Sequence, residues 1–388
     1  MIVVAPDKFK GTLSGPEVAA IVASSLRAAR PDEKVVELPL ADGGQGSVDL
    51  AVRAGFEEMH VWVTGPLGTP VHARYARLAE TAVVEMSLAA GLDQLPLAPD
   101  RLTALTASTY GVGELLEHAL AFNPARIVLG VGGSATTDGG AGLAAALGAR
   151  IRTASGADIS PGAAGLAEVA TVDFGPMVDR LAGVEIIIAS DVDNPLLGSH
   201  GAAPVFGPQK GADPATIEVM QRNLAHWARK VATATGNGLA TMPGSGAAGG
   251  IGLPLLATGT ARITSGADLM MELAGFDRLS PDASMVVVGE GSLDSQSLRG
   301  KGPIRVAEQA KKDGATVIAV VGRNELSAEE LRSSPIDRVY AMTDLEPDIE
   351  VCIDQPHAVL TKLASRVAAT ESGATRQRST SSDESAHR

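Results

Sequence analysis

The chain has 388 residues, enough for two domains and at least one large core, and its 45 % hydrophobic and 20 % charged residues are an ordinary globular balance. A net charge of −13 argues against non-specific binding to nucleic acid or acidic membranes, and 3 % aromatics leave little surface for base stacking. The single cysteine, Cys352, excludes an internal disulfide and a cysteine-based zinc site.

The start, Met1-Ile2-Val3-Val4-Ala5-Pro6-Asp7, has no basic segment before its short apolar run, so it reads as a strand and not as a signal peptide. No apolar stretch is long enough to span a bilayer, and the expectation is a cytoplasmic protein. Ser14 and Glu17 form a capping box with Pro16 in the first turn, which predicts a helix to about Ala29 with Val18, Ile21, Val22 and Leu26 on one face. Val35–Leu40 is the next strand, and Asp42-Gly43-Gly44 leads into a helix from about Ser47. This βαβα order predicts a parallel sheet with helices on its faces.

The pattern then changes. His60–Val63, Val71–Leu78 and Ala82–Met86 are strands separated by turns, which predicts antiparallel pairing and a different domain. Alternation returns with the strands Ile127–Leu129 and Glu185–Ala189 and a long helix over Ile217–Ala234. Met285–Val288 reads as a buried parallel strand before a loop from Gly289 to Lys301. A helix over 303–313, strands at Val317–Val321 and Val339–Met342, and a helix over His357–Thr370 follow. Residues 371–388 are rich in Ser, Thr, Arg and Gln without apolar periodicity and read as a disordered tail. The expected architecture is α/β with two domains. A Rossmann-like parallel-sheet domain is built from 1–60 and 282–370, and a second α/β domain with antiparallel strands, 61–281, is inserted into it.

Some motif matches carry no weight. Gly244-Ser245-Gly246-Ala247-Ala248-Gly249 fits a dinucleotide fingerprint, but Ala240–Pro243 is a poor strand and the βαβ context is missing. An NAD-dependent oxidoreductase rests on that match alone. No glycine-rich loop ends in Gly-Lys-Ser or Gly-Lys-Thr, and no His-Glu-x-x-His is present.

What remains is a set of loops, most of them after apolar strands: Asp7, Lys8 and Lys10; Asp42, Gly43 and Gly44; Gly132, Gly133, Ser134 and Asp138; Asp191 and Asn194; Gln209 and Lys210; and Gly289, Glu290, Gly291, Asp294, Gln296 and Lys301. In α/β sheets the ligand lies beyond the carboxyl ends of the strands. Carboxylates with lysines and glycines there suit phosphoryl transfer, which is mostly positioning and charge neutralisation. Taken singly, each has a plainer reading: Asp7 and Asp42 as helix caps, Lys8 and Lys10 as a solvated pair, Gly132 and Gly133 as packing residues. Glu85, a lone acid at a strand end, reads as structural. Recurrence at strand ends favours the joint functional reading.

These segments, with Ala5–Ser14, Ala41–Gly46, Gly132–Gly142, Asp191–Leu196, Phe206–Ala212 and Gly289–Lys301 in order, resemble the type-1 glycerate kinases up to about residue 370. The resemblance implies ATP-dependent phosphorylation of D-glycerate with Mg²⁺ on a two-domain α/β fold, typically at the 2-hydroxyl, with 3-phosphoglycerate as the alternative product. A non-catalytic sugar-acid-binding protein on the same scaffold is the reading from another class. Gln45 stands where the family usually has Glu, Thr137 where Asn is common and Ser292 where Arg is common. Asp191, Lys8 and Asp42 are the candidate catalytic residues, and Glu290 and Asp294 the candidate metal ligands. Asp7, Lys10, Gly43, Gly44, Gly132, Gly133, Ser134, Asp138, Asn194, Gln209, Lys210, Gly289, Gly291, Gln296 and Lys301 are the candidate substrate and phosphate contacts. The expected partners are D-glycerate and ATP, with a homodimer left open.

Overall fold

The computed structural model describes residues 1–9, 11–40, 45–299 and 302–384, with the backbone alone for Arg299 and residues 373–384. The expectations for Lys10, Asp42, Gly43, Gly44 and Lys301 therefore lie outside the described residues. In chain order the strands are β1 (Ile2–Pro6), β2 (Val35–Glu37), β3 (Glu57–Thr64), β4 (Pro70–Leu78), β5 (Thr81–Glu85), β6 (Arg126–Gly130), β7 (Arg150–Arg152), β8 (Thr171–Asp173), β9 (Glu185–Ala189), β10 (Ala261–Thr264), β11 (Met285–Leu293), β12 (Thr316–Asn324) and β13 (Arg338–Ala341). No helix among the described residues is long and apolar enough to cross a membrane.

The chain divides into two compact units, Met1–Asp42 with Met270–Arg388, and Gly43–Leu269. The boundaries differ from the expected 60/61 and 281/282 for packing reasons. The helix Ser47–Arg53 packs on β4 and β5 of the larger unit. Met271, Phe276 and Ala283 are buried in the core of the smaller one.

The smaller unit is a five-stranded parallel sheet in the order β13-β12-β11-β1-β2. Its central strands are apolar runs because both faces are covered. On one face Val4, Val287 and Ile318 meet the helices Gly15–Ala29 and Pro356–Glu384, and on the other Val3, Val288 and Val321 meet Ile304 and Ala307 of the helix Gly302–Lys312. The capping box at Ser14 and Glu17 is present and starts the first of these helices.

The larger unit is built on a six-stranded sheet in the order β10-β9-β6-β5-β4-β3. β3, β4 and β5 pair antiparallel, as the consecutive strand signals predicted, while β5, β6, β9 and β10 run parallel. On the edge strand β3, Met59, Val61 and Val63 turn inward, and His60 and Trp62 are exposed. The parallel strands Ile127–Leu129 and Ile186–Ile188 lie buried instead.

Disorder from Glu371 onward does not hold at its first residue. The last helix runs Pro356–Glu384, and its buried stripe of Leu360, Leu363, Ala364, Val367 and Ala368 continues into Glu371, which is 1 % exposed. The polar end of that stripe is satisfied: Arg338 and the Tyr340 hydroxyl donate to the Glu371 carboxylate at 2.6 and 2.8 Å, and Arg30 donates to its carbonyl. Glu371→Ala leaves Tyr340 and Arg338 without their acceptor. Because Arg338 is partly exposed, the expected loss is about 2 kcal/mol of unfolding free energy, read from urea denaturation. A chain cut after Thr370 loses the carbonyl contact to Arg30 as well, so it should unfold at lower urea than the point variant.

Candidate active site

Register in the larger sheet brings its loops to one edge. Glu85 pairs with Gly130, and Gly130 with Ala189, so β5, β6 and β9 end level, and the Ser190 amide bonds to Thr264 at the end of β10. Four loops follow these ends, starting near Met86, Val131, Ser190 and Ser265. A fifth segment, Gln45-Gly46, is drawn to the same edge by Glu85. The Gly46 and Val48 amides donate to Glu85 Oε2 at 3.0 and 3.4 Å, and the Ser87 hydroxyl donates to Oε1 at 2.7 Å. Burial pushes the Glu85 carboxyl up, against those donors. The structure thus supports the plainer reading of Glu85 as an anchor for the start of the helix Ser47–Arg53.

The loop from Val131 to Gly140 is tied along its length. The Leu92 amide donates to the Gly133 carbonyl at 3.0 Å and the Ala135 amide to Ala90 at 2.9 Å. The Trp227 indole donates to the Gly139 carbonyl at 2.9 Å. Asp138 is 1 % exposed, and its carboxylate accepts five bonds: from the Thr109 amide and hydroxyl, the Ser108 hydroxyl, and the Gly140 and Gly142 amides. Burial raises its proton affinity, and these donors work in the opposite direction.

Only Gly132 and Gly133 of this loop are half-exposed; Ser134 and Asp138, expected as ligand contacts, are buried. Gly133 has φ +70°, and a Cβ there would lie 2.8 Å from the Gln45 amide nitrogen, which itself donates to Asp93 at 3.1 Å. The positive φ demands glycine there, while the Gln45 side chain, exposed and flexible, could move aside.

Lys210, expected at a phosphate or carboxylate, is 1 % exposed, and its ammonium donates to the Thr136 carbonyl at 2.5 Å. Gln209 beside it is exposed. Burial pulls the Lys210 ammonium down to about 7, with the Asp138 charge acting in the other direction. Asp191 is also engaged: its Oδ1 accepts from the Ser265 hydroxyl at 3.0 Å and the Gly266 amide at 2.9 Å, and Oδ2 from the Ala267 amide at 3.2 Å. It caps the helix Gly266–Ala274. Asn194 donates to the His200 carbonyl at 2.9 Å. The glycines of the discarded fingerprint serve close packing: a Cβ on Gly246 would meet the Pro195 carbonyl at 2.1 Å, and one on Gly249 the Thr136 carbonyl at 2.2 Å. They brace the Asn194 and Thr136 segments, and the dinucleotide reading loses its footing.

In the smaller unit β1 and β11 are adjacent, and the chain leaves them toward opposite sides of the sheet, β1 to β2 and β11 to β12. Such a reversal is where open α/β sheets bind ligands. Asp7 and Lys8 follow β1, and the Asp7 amide bonds to the Gly289 carbonyl at 2.8 Å. The expected loop at Gly289 is strand as far as Leu293, because β11 pairs with β12 through Leu293↔Asn324. Gly289 is glycine because Val320 O would lie 2.7 Å from its Cβ, a neighbour within the sheet. Glu290 is buried and pairs with Val321. Asp294 Oδ1 accepts from the Gln296 and Ser297 amides, each at 2.8 Å, and so closes the turn after β11, while Gln296 is exposed. Sequence reasoning missed Ser265, whose Ser-Gly-Ala-Asp context is a helix-start signal, and Asp93, for which no local signal exists.

The buried Lys210 has a measurable signature. An unfolded lysine titrates near 10.4, so between about 7 and about 10.4 the unfolded chain binds the extra proton and stability rises with pH. Below about 7 the ammonium is charged in both states and this rise is absent. The difference in urea midpoint between wild type and Lys210→Met should shift in favour of wild type from pH 7 to pH 10. A constant difference would mean that Lys210 keeps an ordinary proton affinity.

The glycerate kinase family model matches residues 2–372. A Bacillus subtilis protein named glycerate kinase is 38 % identical over 371 residues, 95 % of this chain and 97 % of its own length. An Escherichia coli protein named glycerate 2-kinase is 39 % identical over 344 residues, 88 % of this chain and 90 % of its own. A crystal structure named as glycerate kinase 2 from Salmonella typhimurium LT2 superposes with a TM-score of 0.81 at 39 % identity, covering 97 % of this chain and 99 % of that one. With the strand-end loops described above included in the matched region, the chain belongs to the glycerate kinase family.

Proposed function

We propose that this kinase transfers the γ-phosphoryl of ATP to the 2-hydroxyl of D-glycerate, giving 2-phosphoglycerate. The observation that carries the reading is that each unit gathers acids and glycines, and the smaller one a lysine, at the carboxyl edge of a parallel sheet, in a chain of this family. The 2-position follows the name of the Escherichia coli relative. We assign the reversal between β1 and β11, with Asp7, Lys8, Glu290, Asp294 and, on sequence grounds, Lys10 and Lys301, to ATP. We assign the edge that carries Gly132, Gly133, Asp191 and Asn194 to glycerate. Asp42, on sequence grounds, fits either role, and Gly43 and Gly44 stay with the substrate and phosphate contacts. ATP and a single cysteine fit a cytoplasmic enzyme.

Mg²⁺ takes one or two protein carboxylates and completes its shell with waters and phosphates. Among the described residues no group of three or more His, Cys, Asp or Glu is gathered for a metal, and the pair Glu290 and Asp294 matches the smaller demand. Bound there, the ion would neutralise charge on the phosphates.

Lys8 supplies positive charge for the same phosphates from the end of β1. Asp191 accepts hydrogen bonds from Ser265, Gly266 and Ala267, and we assign it as acceptor of the hydroxyl proton.

Purified protein with ATP, Mg²⁺ and D-glycerate should yield 2-phosphoglycerate by phosphorus NMR. A 3-phosphate overturns the position, and no turnover on any hydroxy acid overturns the reading. Asp191→Asn should lower kcat by roughly 10²–10⁴ with KM for ATP nearly unchanged. If only its unfolding midpoint moves, Asp191 is a helix cap and nothing more. Asp294→Asn should raise the Mg²⁺ concentration needed for half-maximal rate, and an unchanged Mg²⁺ titration removes it from the metal.

A further inference from the structure

We infer that Lys210 is a positioning residue: from inside the larger unit it holds the loop whose Gly132–Gly133 peptides meet glycerate, and it touches no ligand itself. The inference rests on the glycerate reading above and departs from the sequence expectation of a phosphate or carboxylate clamp.

Three observations support it. Lys210 is as buried as Asp138, and its ammonium points to the Thr136 carbonyl, three residues beyond Gly133. Every other tie on the loop approaches it elsewhere. Ala90 and Leu92 hold its first half, while Thr109, Trp227 and Gly249 hold its end. Lys210 reaches the middle from the protein interior at Thr136, next to the Ala135 amide held by Ala90, where the Thr136 and Thr137 hydroxyls have no hydrogen-bond partners among the described residues. Finally, the segment that delivers it is built for delivery. The Lys210 amide bonds back to Gly207 at 2.9 Å, and Gly211 takes φ +90° with its α-carbon against the backbone of Pro99 and Asp100, where a Cβ would clash at 2.3 Å. That turn fixes the lysine's origin, so a long flexible side chain becomes a strut of set length. A buried lysine is costly, and an apolar residue of similar volume would fill the space more cheaply. What the lysine adds is one directed side-chain bond, to the Thr136 carbonyl, beside the backbone tie of Ala135. A shift of an ångström at Gly132–Gly133 is enough to weaken a ligand seated on those peptides.

The test uses the full chain with Lys210→Met, which keeps length but loses the donor, and Lys210→Gln, which keeps a shorter donor. Each is assayed on protein that shows a single urea unfolding transition. Lys210→Met is expected to raise KM for D-glycerate about tenfold and leave KM for ATP within about twofold, and Lys210→Gln to raise KM for D-glycerate about threefold. Should the methionine variant not fold, the glutamine variant carries the same reading alone: a rise confined to glycerate supports the inference. Wild-type KM for glycerate in the folded variants, or an equal rise for both substrates, overturns it; a purely structural lysine would change the folded fraction and leave both KM values alone. Absence of turnover in the wild type would sink the glycerate reading instead, and is seen before any variant is compared.

Discussion

The carboxylate of Asp138 gathers donors from Ser108 and Thr109 at the start of one helix and from Gly140 and Gly142 at the start of another. The helices Tyr110–Leu120 and Ala141–Ala146 begin side by side because one anion satisfies amides at both N-termini, and the Thr109 hydroxyl passes a further bond to the Leu143 amide. Removing that carboxylate would strand five donors, most of them buried. The position of the β6 loop follows from this constraint, since its far end is fixed at Asp138 and its near end by the sheet. Asp191 and Glu85 repeat the device on a smaller scale, each holding the amides that open a helix. The larger unit therefore uses three carboxylates to hold helix starts at the edge where its chemistry is proposed, Asp138 and Glu85 from within and Asp191 from an exposed position.

That use explains which parts of the molecule could be read from the sequence. Signals contained in a short window were legible. The Ser14–Glu17 box, the antiparallel run before Glu85 and the apolar parallel strands all appear as read. The family likeness was legible too, because it depends on the order of motifs along the chain. The role of a charged residue was not. An Asp in a glycine loop looks the same whether it faces a ligand or a neighbouring helix. The partners that decide between these for Asp138 and Asp191 lie about 30 and 75 residues away in sequence. Lysine is almost never fully buried, so nothing local distinguishes Lys210 from the exposed Gln209. Gly289 and Gly246 show the same limit, since close backbone approach by a neighbouring segment and by a ligand ask for the same residue.

The two sheet edges differ in composition. The smaller unit carries Lys8 and three acids, Asp7, Glu290 and Asp294, around the reversal between β1 and β11, a suitable setting for a polyanion with a cation. At the edge of the larger unit, Asp138, Asp191 and Glu85 are engaged with backbone amides, and the half-exposed surface of the loop is Gly132–Gly133 backbone. A surface of peptide groups can take a small hydroxy acid by hydrogen bonds without a strong field of its own. Gln45, neutral where the family usually carries Glu, fits that arrangement, because a carboxylate there would face Asp93.

The interleaving of the smaller sheet bears on how the chain acquires its structure during synthesis. β1 lies between β2 and β11, and its register with β11 joins Ile2 to Met285. The Arg30–Glu371 contact spans 341 residues. In the nascent chain β1 and the helix after it therefore wait, with an apolar edge and an uncovered face, until β11 and the helix Pro356–Glu384 have been made. The segment Gly43–Leu269 contains its own sheet and core and can close in the meantime. Synthesis thus lets the larger unit form while β1 is still unpaired with β11, and the helix Pro356–Glu384 later covers the face of the sheet that holds β1.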